Sequence, residues 1–382
     1  MVAGFPFPAP QGSQVYVCEQ LRALVRAGAR ATLFCYGSGV GPAPSDVECV
    51  RVPAALSPRR TRAGPSARKP LADAALAALL ARAARRRRFD AVLAHNAEAA
   101  LAALAVRRTV GAPVVYVAHT LWSLELGSWA PAALARAAGT LGERLDRYLA
   151  ARADAVLVLC DAAAERLAPD ARGPVRVIPP GLDPRPAPSR EAQESACARA
   201  GVAAGRFALY AGNLDRYQEL GLLESVARAL PELPVVVATH ASPTPRAGAL
   251  RIHRVADAEE ARALGFAAGV AVLARLRAGG FPIKLLNYME AARAIVAHRG
   301  VAPGLVHGAS AWLVEPGAGP AAFVAAIRTL AADPARAARL GAGARAALEA
   351  QHAWPELARR TLALAAEAGS RRAPVPPQAG RR

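Results

Sequence analysis

The chain has 382 residues, 53% of them apolar, which exceeds what one ordinary core accommodates and makes two domains the expectation. Its formal charge of +19 comes from forty-six arginines and two lysines against 29 acidic residues. That charge fits an anionic membrane surface or a phosphorylated ligand, and the lack of a helix-turn-helix, zinc or aromatic-basic signature argues against nucleic acid.

The five cysteines (Cys18, Cys35, Cys49, Cys160, Cys197) are odd in number and form no CxxC pair, which argues against a disulfide framework and a zinc site. No apolar run reaches membrane-spanning length, and the N-terminus lacks a basic region followed by a long apolar core. The expected location is cytoplasmic, resting on the inner face of the cell membrane.

Met1–Gly4 reads as a strand that is brief, or else cut short by a start assigned a few residues late. Phe5–Gly12 is a Pro/Gly loop, Ser13–Ala27 has helical spacing through Val15, Val17, Leu21, Leu24 and Val25, and Ser13 is the expected N-cap. Ala31–Tyr36 is the next strand, so the chain opens as a doubly wound sheet does. Ser57–Lys69 reads as an exposed loop and Leu71–Ala84 as a helix ending in Arg85–Arg88, a run that either is a solvated helix end or touches lipid phosphates. Strands at Ala91–Ala94 and Val114–Val117 lead to His95 and His119. Both histidines stand at carboxyl ends of parallel strands, where ligands bind in such sheets; the alternative is two structural histidines.

Ala132–Ala151 is a long helix, Ala155–Cys160 and Val175–Ile178 are strands, and Pro184–Ser189 reads as an interdomain linker. The pattern then restarts with a strand at Phe207–Tyr210, a loop at Ala211–Asp215, a helix at Glu219–Leu230 and a strand at Leu233–Ala238. Ala268–Leu273 is a further strand, followed after Arg275 by Gly279-Gly280-Phe281-Pro282 and helical spacing over Ile283–Ala294. Strand, glycine turn and helix start aim N–H groups at one spot, which suits a phosphate. Lys284 stands in that first turn with Asn287 three residues on, and it is one of only two lysines, the other being Lys69. An ordinary turn with a solvated lysine is the competing reading. Strands at Ala294–His298 and Trp312–Val314, helices from Pro320 to Ala350, and a last helix from Trp354 to Ala368 complete the body.

Seven stretches, in order, resemble the retaining GT-B glycosyltransferases of the family-4, group-1 type. They are FPFPAPQGSQ at Phe5–Gln14, VVYVAHT at Val114–Thr120, VRVIPPGLD at Val175–Asp183, YAGNLD at Tyr210–Asp215, GFPIKLLNYM at Gly280–Met289, AWLVEP at Ala311–Pro316, and the Trp354 helix. The resemblance implies an α/β GT-B fold, two Rossmann-like domains with parallel sheets facing each other across a cleft. It implies an acceptor-side domain over 1–184 and a nucleotide-sugar-binding domain over 185–352. A C-terminal helix over 353–370 would pack back on the first domain, and 371–382 would be a disordered tail. The implied reaction transfers a sugar from a nucleotide-sugar donor to a glycan or lipid-linked acceptor, with retention and without a metal or other cofactor.

On that resemblance His119, Arg216 and Lys284 are the catalytic residues, with the cations offsetting charge on the leaving diphosphate. Gly12, Asn213, Arg275, Gly280, Phe281, Ile283 and Asn287 are the donor-binding set, and Ser13, Gln14 and His95 lie on the acceptor side. The chain departs from the pattern at Gly279 and Asn287, where the family commonly has two glutamates, and at Gln218, Glu219, Ala274 and Ala292. These departures motivate a second reading, a non-catalytic binding or scaffold protein in a glycan-synthesis complex. A nucleotide-sugar epimerase ranks lower, because only Glu98 and Glu125 are offered near His95, His119 and His240.

Overall fold

The computed structural model describes residues 1–9, 11–39, 47–58, 66–183, 185–214, 218–241, 248–275 and 279–371. Its contacts divide the chain into two compact units, one of Met1–Pro180 with the segment from Trp354 onward, the other of Gly181–Ala353. The tail expected to be disordered lies, from Arg372 on, outside the described residues.

The first unit runs β1 (Val2–Pro6), α1 (Gly12–Arg26), β2 (Thr32–Tyr36), β3 (Glu48–Arg51), α2 (Lys69–Ala84), β4 (Val92–His95), α3 (Asn96–Ala105) and α4 (Arg107–Val110). It continues with β5 (Val114–Ala118), α5 (Trp122–Trp129), α6 (Ala135–Arg152), β6 (Ala155–Val158), α7 (Asp161–Leu167) and β7 (Val175–Val177). These seven strands form one parallel sheet in the order β3-β2-β1-β4-β5-β6-β7.

The second unit runs α8 (Arg190–Ala200), β8 (Ala208–Ala211), α9 (Leu220–Ala229), β9 (Val235–Thr239), β10 (Arg251–Arg254), α10 (Ala258–Ala267) and β11 (Val270–Leu273). After these come α11 (Lys284–Glu290), β12 (Ala294–His298), β13 (Trp312–Val314), α12 (Gly319–Ala332) and α13 (Pro334–Gln351). Its parallel sheet has the order β10-β9-β8-β11-β12-β13. The last helix, α14 (Trp354–Ser370), returns to the first unit and packs on α1, β5 and β6. The fold is thus two Rossmann-like α/β domains.

Strands covered by helices on both faces must be apolar throughout, and β5 and β9 are buried at every residue. Alternate residues serve opposite faces: Val114, Tyr116 and Ala118 join the cluster under α2 and α3 with Leu76, Leu80 and Ala99. Both sheets reverse their winding once, between β1 and β4 and between β8 and β11, and ligands of open α/β sheets bind outside the carboxyl ends at such a point.

Several elements differ from the sequence reading. The helix expected over Ile283–Ala294 is only Lys284–Glu290, because Ala292 adopts a left-handed backbone (φ 49°) and turns the chain into β12. The α1 N-cap is Gln11 with no side-chain bond, so Ser13 lies inside the first turn. Val15, expected on the apolar face, is 43% exposed, while Gln14 and Gln20 point inward with Tyr16, Val17 and Leu21. The edge strands β3 (ECVR) and β10 (RIHR) escaped the reading because half-exposed, charged edges carry no apolar run. Helix α3 (NAEAALAALA) is apolar nearly all round and so shows little helical contrast.

Candidate active site

In the first unit, β4 and β5 end side by side, with His95 paired in register to Val117 and His119 just beyond β5. His95 Nδ1 lies 3.0 Å from His119 Nε2, and both rings are buried. Their other nitrogens, His95 Nε2 and His119 Nδ1, have no hydrogen-bond partner among the described residues. Burial holds His119 down at about 3, and burial together with the neighbouring His119 ring holds His95 well below its ordinary value. Both are therefore neutral near pH 7. Tyr16 packs edge-on against His119 with centroids 4.9 Å apart, and its hydroxyl accepts from Gln20 Nε2 at 2.8 Å. Trp354 of α14 covers Tyr16 from 6.0 Å.

A second buried polar group lies near the same edge. Tyr36, at the end of β2, donates a short bond to Asp73 Oδ1, and burial pushes the Asp73 carboxyl up to about 6. Lys69, the other lysine of the chain, bonds Glu98 Oε1 at 2.7 Å. Burial works against the Lys69 ammonium, but the Glu98 carboxylate more than offsets it and raises its pKa.

In the second unit, the loop after β8 and the turn before α11 are laced together through Lys284. Lys284 Nζ donates to Tyr210 Oη at 2.6 Å and to Gln218 Oε1 at 3.1 Å, and it lies 4.0 Å from the Tyr210 ring centroid. Tyr210 Oη donates to the Asn213 carbonyl at 2.9 Å, and Gln218 Nε2 to Asn213 Oδ1 at 3.3 Å. A Cβ on Gly212 would stand 2.8 Å from Lys284 Nζ, and its φ of +153° also favours glycine. Lys284 is thus a half-buried cation held at the end of β8, not a solvated side chain. At the other end of α11, Glu290 forms a buried pair with Arg262 at 2.7 Å, whose guanidinium also caps the Pro186 carbonyl at 2.8 Å.

The pattern described as Glycosyltransferase Family 4 matches residues 10–185, and that described as Glycosyl transferases group 1 matches residues 205–333. The chain belongs to the GT-B glycosyltransferases. Solved structures share the fold. A sucrose-phosphate synthase from Thermosynechococcus elongatus aligns at TM-score 0.73 and 19% identity over 95% of this chain and 97% of the other. HepE from Anabaena in complex with UDP-glucose aligns at 0.69 and 16% over 95% and 98%. WaaG, a glycosyltransferase involved in lipopolysaccharide biosynthesis, aligns at 0.69 and 13% over 94% and 98%. No curated protein sequence matches the chain.

In this glycosyltransferase the expected site residues that are described follow the carboxyl ends of β1, β4, β5, β8 and β11. Ser13 is half buried and Gln14 buried in the first turn of α1, and Gly12 is exposed. Asn213 and Arg275 follow β8 and β11, Gly280 and Phe281 are buried, Ile283 is half buried, and Asn287 is exposed on α11. Phe281 packs against His352 with centroids 5.3 Å apart. Leu285 and Leu286 donate their N–H groups to the Pro282 and Ile283 carbonyls at 2.8 and 3.1 Å, so those two donors are not available to an anion. Arg216 lies outside the described residues. Among the described residues no three His, Cys, Asp or Glu side chains converge as metal ligands. Of the groups the epimerase reading would need, His240 is exposed and Glu98 is engaged by Lys69.

The sequence reading did not single out Tyr16 and Gln20, polar side chains at i and i+4 on an otherwise apolar helix face. That intrusion was the available signal. Tyr210 and Gln218 gain their role only from Lys284, 74 and 66 positions away.

Proposed function

We propose that the chain transfers a sugar from a nucleoside-diphosphate donor to a glycan or lipid-linked acceptor, with retention of configuration and without a metal. The observation that carries this reading is Lys284, a cation fixed by Tyr210 and Gln218 beside the glycine at the end of β8. There it offsets the charge that develops on the departing diphosphate, with Arg275 and Arg216 as further cations and Asn213 and Asn287 as uncharged partners for ribose or base. Backbone at Gly12, Gly280, Phe281 and Ile283 supplies close approach to phosphate and base. His119 bonds the transferred sugar, and Ser13, Gln14 and His95 lie on the acceptor side. That HepE was solved with UDP-glucose makes UDP-glucose the first donor to test.

The membrane part of the reading is supported by α6 and the residue before it. Leu134, Leu141 and Tyr148 recur every seven residues and are 59%, 62% and 45% exposed, flanked by exposed Arg144 and Arg152. One helix side thus combines apolar anchors with cations, as an interfacial helix on anionic lipid does. Flotation with anionic but not zwitterionic vesicles, lost in Leu141→Asp, is the expected result.

The donor is tested by thermal stabilisation of wild type and Lys284→Ala against nucleoside diphosphates and nucleotide sugars. A shift with one nucleotide sugar, worth about 3 kcal/mol at a hundredfold excess over its dissociation constant and lost in the variant, supports the transferase. No shift with any of them favours the non-catalytic scaffold, for which Gly279, Gln218 and Asn287 would then be the reason.

A further inference from the structure

The two histidines of the first unit are bonded to each other before any ligand arrives. A neutral imidazole has one donor and one acceptor nitrogen. With His95 Nδ1 and His119 Nε2 3.0 Å apart, one must carry the proton and the other must be bare. If His95 Nδ1 carries it, His119 Nε2 is bare and the His119 proton sits on Nδ1. If His119 Nε2 carries it, His95 Nδ1 is bare and the His95 proton sits on Nε2. In both cases the two rings share one tautomer, and His119 Nδ1 takes the opposite character to its own Nε2. The edge-on Tyr16 ring, 4.9 Å from His119, and Phe5, 6.3 Å from it, oppose a half-turn of the His119 ring, which would put carbon atoms in the places of both nitrogens.

We propose that His95 is a positioning residue. It occupies His119 Nε2, leaves Nδ1 as the nitrogen that meets a ligand, and decides through its own tautomer whether Nδ1 donates or accepts there. This rests on the reading of His119 as the sugar contact. The unbonded, buried Nδ1 of His119 is the second observation behind it, since such an atom without a partner costs about 1–3 kcal/mol unless a ligand group completes it.

The test is long-range 1H–15N spectroscopy of the full chain with 15N-labelled histidine at pH 7, in wild type, His95→Ala and His95→Asn, with each variant's fold checked by its melting curve. The expected wild-type result is two neutral rings in the same tautomer. His95→Ala should release His119 into a mixture of tautomers, and His95→Asn, whose amide can bond Nε2 again, should restore one. Opposite tautomers in wild type, or a His119 spectrum unmoved by His95→Ala, would overturn the proposal. The readout needs no donor. Absence of any nucleotide-induced thermal shift, with the paired spectra intact, would remove the donor reading and leave the histidine pairing standing. Where a donor is turned over, His95→Ala should lower kcat on the order of tenfold with little change in KM, by analogy with the lower end of what losing the partner of a metal-bound histidine costs.

Discussion

The two reversal points share one geometry and differ in chemistry. Between β1 and β4 the chain gathers neutral groups, His95, His119 and Tyr16, in a buried setting that suppresses charge. Between β8 and β11 it places a half-buried ammonium, Lys284, braced by a phenol and an amide. The duplicated architecture thus puts neutral rings at the centre of one site and a cation at the centre of the other. On the proposed function, the second site would steady a leaving diphosphate and the first would orient an uncharged sugar.

The largest effect expected comes from breaking the support of the charged site. Arg262 and Glu290 are buried and bonded at 2.7 Å, and removing one leaves the other uncompensated. Arg262→Ala should cost about 3–5 kcal/mol in chemical denaturation. Because Glu290 closes the helix that Lys284 opens, donor binding should weaken with it. The equivalent measurement at the neutral site, His95→Asn, should cost far less, because it strands no charge.

Removing the charge itself should act on turnover more than on folding. Lys284→Ala is expected to lower kcat about 10²–10³-fold, the range for losing one stabiliser of developing negative charge. Lys284→Arg should not restore it, since the planar guanidinium cannot take the place of a compact ammonium that sits against Gly212. Full activity of either variant would detach the lysine from the chemistry.

Acid should separate the sites. The folded pKa of His119, about 3, lies below the ordinary 6.5. Between those values the unfolded chain binds the proton and the folded chain does not, so stability is complete above pH 6.5 and falls as pH drops towards 3. The slope is about 1.4 kcal/mol per pH unit for one such group. Asp73, raised to about 6, works the other way as pH falls below 6. The isolating measurement is therefore the difference between wild type and His119→Asn from pH 6 to pH 4. In the second unit, Glu260 is held at about 2, by Ala256 N–H, Arg199 and His253 against the opposing effect of burial, so its contribution is lost only from pH 4.5 down towards 2.

How much of this was legible in the sequence follows from the same physics. The central strands were legible because burial on both faces demands unbroken apolar runs, as in Val114–Val117 and Val235–Ala238. Lys284 was legible because a glycine turn, a helix start and a scarce residue type coincide within a few positions. The edge strands β3 and β10 were not, since half their surface faces water. Nor were the Arg262–Glu290 pair and the histidine contact, 28 and 24 positions apart, which exist only once the sheets have set their registers. Local chemistry can be read along the chain; pairings made by topology cannot.

The smallest effect sharpens the comparison at the level of backbone. Among the described residues each unit has one non-glycine residue in the left-handed region, Asn96 (φ 69°) right after His95 and Ala292 (φ 49°) just past α11. Asparagine tolerates that conformation because its short amide bonds locally, whereas the alanine Cβ crowds the backbone at a cost of about 1–2 kcal/mol. Ala292→Gly relieves the strain but frees the unfolded chain, which takes back about 0.4–1 kcal/mol. The net gain expected is on the order of 0.5–1 kcal/mol, or about 2–4 °C at the upper end for a domain of this size. Asn96→Gly should gain nothing. Equal gains at both positions would mean that the asparagine side chain does no work at the neutral site, and no gain at Ala292 would mean that the packing around the helix end has already absorbed the strain.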